Sequence, residues 1–226
     1  MKRIFAIVMC ILLCCAAFSA GADGRDEVPE EYAPLLAEYA QGLAGDEDIQ
    51  ETYESVATAW QCCLNADVDP LDCIGYAVMD LNEDGVPELV FGEMPEELSL
   101  EGIVFELLTL REGQPATVIR GWERYRVALM YDEQTDRYGY YAEGSSSAFD
   151  SVYETGLAGE NMAAWDDPHS LEANTDMDGG SLIWTLDGVE ISETEAEALI
   201  DQWRIQRIEL TMYPMSEWSG EAAEAQ

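Results

Sequence analysis

Between residues 76 and 189 the chain consists of strand-sized apolar runs separated by short polar turns. The clearest run, RYRVALMY at 124–131, alternates between two faces. One face would carry Tyr125, Val127, Leu129 and Tyr131, and the other Arg124, Arg126, Ala128 and Met130. The polar segment 132–136 then leads into RYGYYAEG, which predicts a β-hairpin. Because the connections are short and no helical crossover separates the runs, we expect an antiparallel sheet.

Amphipathic helices flank this region. Residues 28–43 and 47–64 carry apolar side chains at spacings of three and four, which predicts two N-terminal helices. Near the other end, Ser192 is followed three residues later by Glu195, a capping box that predicts the start of a C-terminal helix. The predicted fold is therefore α+β, with two N-terminal helices, an antiparallel sheet of about five to eight strands and a C-terminal helix.

The composition is typical of one compact domain. Of the 226 residues, 48% are hydrophobic and 10% aromatic, which favours a packed core over disorder. We assign residues 23–213 to a single α+β domain. Residues 214–226 are small and polar apart from Trp218, so we expect them to form a flexible tail.

The first 22 residues have the features of a secretory signal peptide. A basic pair precedes an apolar run of about a dozen residues, and Ala20 and Ala22 form a small-residue cleavage pattern. The run is shorter than the roughly 20 residues of a membrane-spanning helix, so we expect no membrane span. A lipid anchor at Cys14 or Cys15 is the less favoured alternative, because the usual small residue does not precede either cysteine. We therefore predict a secreted or extracytoplasmic protein, cleaved near Ala22.

The chain is strongly acidic, with a formal net charge of −37. Such a charge repels nucleic acids and anionic lipids, so we expect neither as a partner, whereas it suits divalent cations. A solvated acidic surface also accounts for most of the 47 acids. Outside the cytosol disulfides persist, and the cysteines beyond the leader are Cys62, Cys63 and Cys73. A bridge from Cys73 to either of the other two is compatible with the sequence, which leaves the pairing open.

The segment YAVMDLNEDGVPELVF, residues 76–91, places an acidic loop between two apolar runs. Counting from Asp80 as position 1, oxygen-bearing side chains occupy positions 1, 3, 5 and 9, and a glycine occupies position 6. Calcium takes about six to eight oxygen ligands, and a glycine allows the sharp bend of such a loop. The spacing therefore predicts a calcium site, although Asn, Asp and Gly also build polar turns without a metal.

The loop differs from an EF-hand, which needs a glutamate at position 12, where this chain has Phe91. It resembles the calcium loops of FG-GAP, or integrin-type, repeats. More broadly, GYAVMDLNEDGVPELVFG, YAPLLAEYAQGL and LDGVEISETEAEAL resemble parts of exported, mostly uncharacterised proteins of Gram-positive and gut bacteria. That resemblance implies a structural calcium loop between two strands and indicates no activity. The ligands it implies are Asp80, Asn82, Asp84, the backbone carbonyl of Val86, and Glu88.

A second acidic segment and the single histidine are weaker candidates. Asn174, Asp176 and Asp178 imitate the loop but lack a closing ligand at position 9, so a polar loop is the expectation. His169 lies in DPHS, which is typical of a surface loop. A catalytic triad with one of the serines at 145–147 lacks the usual nucleophile motif.

An aromatic run at Tyr125, Tyr131, Tyr138, Tyr140 and Tyr141 would suit sugar stacking. Cross-strand core packing is the more common use of such residues.

Together these features predict an exported, non-enzymatic protein with a structural calcium site that binds an unknown protein or glycan partner at or outside the cell envelope. The alternative is a secreted hydrolase of cell-wall or dietary glycans that uses a carboxylate pair.

Overall fold

The computed structural model describes residues 28–94, 102–122, 124–145, 151–175 and 182–218. The predicted signal peptide, residues 1–22, and the end of the predicted tail, residues 219–226, lie outside these ranges. Within the described ranges, no helix has the length and apolar character needed to cross a membrane.

The elements confirm the predicted α+β class with a C-terminal helix. The helices are α1 Ala33–Leu43, α2 Glu47–Thr52, α3 Glu54–Ala66, α4 Pro70–Cys73 and α5 Glu193–Ile205. The strands are β1 Ile74–Met79, β2 Glu88–Glu93, β3 Val104–Arg111, β4 Gln114–Arg120, β5 Tyr125–Asp132, β6 Arg137–Ser145, β7 Ser151–Ala158, β8 Trp165–Thr175, β9 Leu182–Leu186, β10 Val189–Ile191 and β11 Tyr213–Pro214.

The strands are divided between two antiparallel sheets. The first sheet has the order β11-β1-β2-β3-β4, and the second has the order β10-β9-β8-β7-β6-β5. There are more strands than the sequence patterns predicted. Strands β4 and β8 are the main additions, and both leave many side chains exposed. Their apolar patterns are too weak to predict strands from the sequence. In the structure, both form strands because they pair with neighbouring strands.

The sheets and helices stack in layers separated by three apolar clusters. Helices α1, α3 and α4 cover the outer face of the first sheet, where Tyr39 of α1 contacts Phe91 of β2. The middle cluster joins the two sheets and contains Val90 from the first and Val127 from the second. Helix α5 covers the outer face of the second sheet through Ile200 and Trp203. Among the described residues, each sheet is therefore packed against apolar side chains on both of its faces.

The predicted alternation of strand β5 is confirmed. Val127 and Leu129 point into the middle cluster between the sheets. Met130 points to the other face, into the cluster beneath α5. Arg126 lies on that same α5-facing side, beside Arg204 of α5.

The second predicted N-terminal helix is split in two at Tyr53. The backbone of Tyr53 is extended, with φ −117° and ψ 100°, so it ends α2 and begins α3. The Tyr53 N–H donates to the Ile49 carbonyl, while its own carbonyl accepts from Val56 and Ala57. The short helix α4 was not predicted, although Asp69 followed by Pro70 is a recognisable helix start.

The start of the predicted flexible tail is part of the folded structure. Tyr213 and Pro214 pair with β1, and Met215 is buried in the cluster beneath the N-terminal helices. Trp218 packs edge-on against Tyr76, with ring centroids 5.6 Å apart. The aromatic and apolar side chains of Pro214–Trp218 therefore place this segment in the core, despite its polar neighbours.

The three cysteines in the described part of the chain are buried thiols, and no disulfide is formed among them. Burial raises the pKa of the Cys63 thiol to about 12, with smaller contributions from Cys73 and Cys62. A high pKa keeps a thiol protonated and weakly reactive.

Candidate functional site

The acidic loop connects β1 to β2 and is curled around the carboxylate of Asp80. One oxygen of Asp80 accepts from the Asp84 N–H at 3.1 Å, and the other accepts from the Gly85 N–H at 2.8 Å. The curl requires left-handed backbone at Glu83 (φ 58°) and Gly85 (φ 84°). Gly85, which was predicted to permit a sharp bend, therefore lies at a position whose left-handed backbone favours glycine.

The side chains at positions 1, 3 and 5 of the loop lie close together. The Asn82 Oδ1 atom accepts from the same Asp84 N–H as Asp80, at 3.3 Å. The Asn82 Nδ2 atom donates to the Asp84 carboxylate at 2.9 Å. Asp84 also accepts from the Val86 N–H at 2.8 Å. Asp80, Asn82 and Asp84 thus form one hydrogen-bonded group, and Asp84 is also bonded to the Val86 N–H.

Glu88 lies beneath the loop, as the first residue of β2, and is completely buried. One carboxylate oxygen accepts from the Leu81 N–H at 2.9 Å, and the other accepts from the Thr109 hydroxyl at 2.9 Å. Burial raises the pKa of Glu88, and the charges of Asp84 and Asp80 raise it further, although the two hydrogen bonds act in the opposite direction. Glu88 therefore anchors the loop to the first sheet.

The candidate metal ligands of the loop fit a hard cation such as calcium only in part. All the candidate groups are oxygens, as calcium requires, and each Glu88 oxygen keeps a lone pair beyond its one hydrogen bond. However, nowhere in the described part of the chain do three His, Cys, Asp or Glu side chains converge closely enough to hold a metal ion. A cation at this loop would therefore also draw on the Asn82 side chain, the Val86 carbonyl and water.

The loop also contacts the second sheet. The Asn82 Nδ2 atom donates to the carbonyl of Gly159, in the connection between β7 and β8, at 3.1 Å. Leu81 is buried in the middle cluster between the sheets. A pocket of about 340 Å³ lies alongside, between the loop and an acidic rim that contains Asp136, Glu160 and Asp166. The loop is thus located where the two sheets meet, which its sequence did not indicate.

Among the described residues that line this acidic pocket, Arg137 is the cation. Arg137 of β6 forms an ion pair with Asp166 at 2.7 Å and donates to the Ala158 carbonyl. Arg137 therefore fixes the β7–β8 connection that the loop contacts.

His169 lies on strand β8 and not in the surface loop expected from DPHS. Its Nδ1 atom is 2.8 Å from the Asp187 carboxylate, whose other oxygen accepts from the Ser170 N–H at 2.9 Å. These two hydrogen bonds hold the pKa of Asp187 below its usual value. The pair ties β8 to the turn between β9 and β10. Ser145 is aligned through Ser151 with Ala173 of β8, four residues from His169, so Ser145 and His169 do not form a catalytic pair. Residues 146 and 147 lie outside the described ranges.

The second acidic segment is described only in part. Asn174 belongs to β8, and its side chain donates to Glu172 at 3.4 Å. Asp176 and Asp178 lie outside the described residues.

The aromatic run contributes mainly to the core. Tyr140 and Tyr141 are buried on opposite faces of the second sheet. Tyr125 and Tyr138 pack against the middle cluster between the sheets. These positions correspond to cross-strand packing rather than to an exposed stacking surface.

Glu106 on β3 is a buried acid that was not among the site residues predicted from the sequence. Its carboxylate accepts hydrogen bonds from Tyr39 at 2.6 Å, Ser55 at 2.5 Å, Thr117 at 2.6 Å and Arg120 at 3.0 Å. The network joins helices α1 and α3 to strands β3 and β4, which is a structural role. A single acid inside the apolar run IVFELLTL was the available sequence signal.

Comparisons of the chain with known protein families, with curated proteins and with solved structures found no match. The function is therefore inferred from the residues and their geometry.

Proposed function

We propose that the protein is an exported, non-enzymatic calcium-loop protein that binds a protein or glycan partner at or outside the cell envelope. The observation that supports the proposal is the curl of the loop around Asp80, which brings the side chains of Asp80, Asn82 and Asp84 into one hydrogen-bonded group. The loop's own backbone donors maintain this curl, so a cation would bind to a loop that is already bent.

Asp80, Asn82, Asp84, the Val86 carbonyl and Glu88 would hold the ion. Bound calcium would supply positive charge that offsets the mutual repulsion of the three carboxylates and the desolvation of Glu88. Because the loop also contacts Gly159 and inserts Leu81 between the sheets, the ion would stabilise the junction of the two sheets. The role is structural, since the same residues anchor the fold.

Export is supported by the leader pattern in residues 1–22 and by the resemblance of three segments to exported bacterial proteins. An extracellular location suits the loop, because extracellular modules bind calcium at about 10⁻⁴ to 10⁻³ M. Secretion from a bacterial host, with a mature N-terminus near residue 23, is the expected result.

A calorimetric titration of residues 23–226 with calcium tests the metal site. We expect one site with a dissociation constant of about 10⁻⁴ to 10⁻³ M. Asp84→Asn should weaken binding about tenfold, because it removes one charge while an amide oxygen still accepts from Val86. Asp201→Asn, an exposed acid on α5, is the matched control and should bind as the wild type does. No heat for the wild type, or equal weakening in both variants, would refute the site.

A further inference from the structure

A pocket of about 350 Å³ on the outer face of the second sheet gathers basic side chains. Among the described residues, Arg124, Arg126 and Arg204 line it together with Glu143 and Ser145. The whole chain has only 10 Lys and Arg residues against 47 acids. A cluster of three arginines is therefore unusual in a chain that is strongly acidic.

Strand register and the end of α5 build this arginine pocket. Arg126 is the second residue of β5, Arg124 lies in the turn just before that strand, and both line the pocket. Arg126 is directly opposite Glu143 of β6. Arg204 reaches the same place from the last turn of α5. Arg126 and Arg204 therefore come from a strand and a helix, whereas Arg124 belongs to the turn before β5.

Glu143 holds two of the three arginines in position. Its carboxylate is 2.8 Å from the Arg204 guanidinium and 3.8 Å from that of Arg126. It also accepts from the Tyr141 hydroxyl at 2.8 Å. Burial acts to raise the pKa of Glu143, but the hydrogen bonds from Arg204 and Tyr141 outweigh it and lower the pKa. Glu143 is thus ionised and forms ion pairs with both Arg204 and Arg126.

The arginine pocket retains donors and positive charge for a ligand. Arg124 is exposed and forms no ion pair with any described residue. Three guanidiniums and one carboxylate leave an excess of two positive charges among the described lining residues. Each guanidinium has more N–H donors than these contacts use, and the Ser145 hydroxyl adds a neutral donor.

We propose that this pocket binds a doubly charged tetrahedral oxyanion, of the kind a phosphate monoester presents. A phosphate monoester carries about −1.5 to −2 charges near neutral pH, which matches the excess in the pocket, whereas a carboxylate would neutralise half of it. Arginine forks match the geometry of phosphate oxygens. The arginine pocket shares no residue with the calcium loop, so the two proposed sites can be tested independently.

Titration of calcium-free residues 23–226 with inorganic phosphate near pH 7.5 tests the arginine pocket. We expect saturable binding that Arg124→Gln weakens about tenfold, since it removes one charge-assisted contact. Glu143→Gln should strengthen binding, because it removes the competing carboxylate, and a purely structural Glu143 would not have this effect. Arg111→Gln on β3 is the control for loss of one positive charge and should bind as the wild type does. Circular dichroism of each variant checks that the fold is intact.

Parallel titrations with sulfate and acetate define the anion. Binding of phosphate and sulfate with much weaker binding of acetate supports a doubly charged tetrahedral ligand. Acetate binding as strong as that of phosphate would overturn that assignment. Absence of phosphate binding by both the wild type and Glu143→Gln, or equal weakening in Arg124→Gln and Arg111→Gln, would overturn the pocket itself.

Discussion

Glu88 and Glu106 lie on adjacent strands of the first sheet, and both are buried, yet their pKa values move in opposite directions. For Glu106, burial acts to raise the pKa, but hydrogen bonds from its four neighbours outweigh burial and lower it. For Glu88, burial dominates, and the nearby charges of Asp84 and Asp80 add to it. The number of donors around each carboxylate therefore decides whether it is stable as an anion.

These shifts make opposite contributions to stability as pH changes. Glu106 has a lowered pKa in the folded state, so its contribution is present above its ordinary value of 4.5 and is lost as pH falls through the lowered pKa. Glu88 has a raised pKa in the folded state. Its contribution is present below 4.5 and is lost as pH rises through the raised pKa. At neutral pH without calcium, Glu88 is therefore a source of instability.

Glu88→Gln should stabilise the calcium-free protein at neutral pH. The amide oxygen can accept from the Leu81 N–H, and the amide nitrogen can donate to the Thr109 hydroxyl, so both contacts are kept without a buried charge. The free energy of unfolding in urea should exceed that of the wild type at about pH 7.5. The difference should vanish near pH 4, where the wild-type carboxyl is protonated in both states.

An exposed glutamate provides the control for this comparison. Glu197→Gln on α5 removes the same charge from a solvated position, so it should change stability by less than about 0.5 kcal/mol at either pH. A Glu88→Gln variant that is less stable than the wild type at neutral pH would contradict the assignment of Glu88 as a desolvated anion.

At the scale of elements, the sequence predicted those strands and helices whose own residues show a clear apolar pattern. RYRVALMY alternates apolar and polar faces, and the structure follows that alternation in β5. Tyr53 gives no comparable signal, because its extended backbone depends on how α2 and α3 pack on α1. Strands β4 and β8 likewise depend on neighbouring strands, which the sequence does not reveal.

The two candidate sites differ in how far sequence could predict them. The calcium loop is contiguous, so its spacing places Asp80, Asn82 and Asp84 together. The contact of Glu88 with Thr109 joins residues 21 positions apart and depends on the pairing of β2 with β3. The arginine pocket joins β6 to α5 across 61 positions, through Glu143 and Arg204, so no local pattern could reveal it.

Helix α5 begins at the capping box that the sequence predicted. The Ser192 hydroxyl accepts from the Glu195 N–H at 3.2 Å, and the Glu195 carboxylate accepts from the Ser192 N–H at 2.9 Å. Because α5 packs on the second sheet, loss of this cap should lower the stability of the whole domain. Ser192→Ala should lower the free energy of unfolding in urea by about 1 kcal/mol.

Thr194→Ala, at an exposed position in the same turn, is the matched control for the cap. It should leave the unfolding midpoint nearly unchanged. Equal midpoints for the wild type and Ser192→Ala would show that the cap does not contribute to folding stability.

At the scale of the whole molecule, the acidic loop lies where the two sheets meet. Leu81 is buried in the middle cluster, Asn82 bonds to the β7–β8 connection, and Glu88 is fixed to the first sheet. A cation held by this loop would therefore stabilise the packing of both sheets rather than a single hairpin. A ligand that binds only the folded state stabilises it by an amount that grows with the logarithm of the ligand concentration over the dissociation constant.

The most direct test is the thermal unfolding temperature of residues 23–226 with and without calcium. At about 5 mM calcium and a dissociation constant of about 10⁻⁴ to 10⁻³ M, binding adds about 1 to 2 kcal/mol of stability. For a domain of this size, that corresponds to a rise of about 2 to 8 °C. We predict such a rise with calcium, and a clearly smaller rise for Asp84→Asn at the same concentration, because its binding is about tenfold weaker. The same unfolding temperature for the wild type with calcium and without it would contradict a calcium site at Asp80, Asn82, Asp84, Val86 and Glu88.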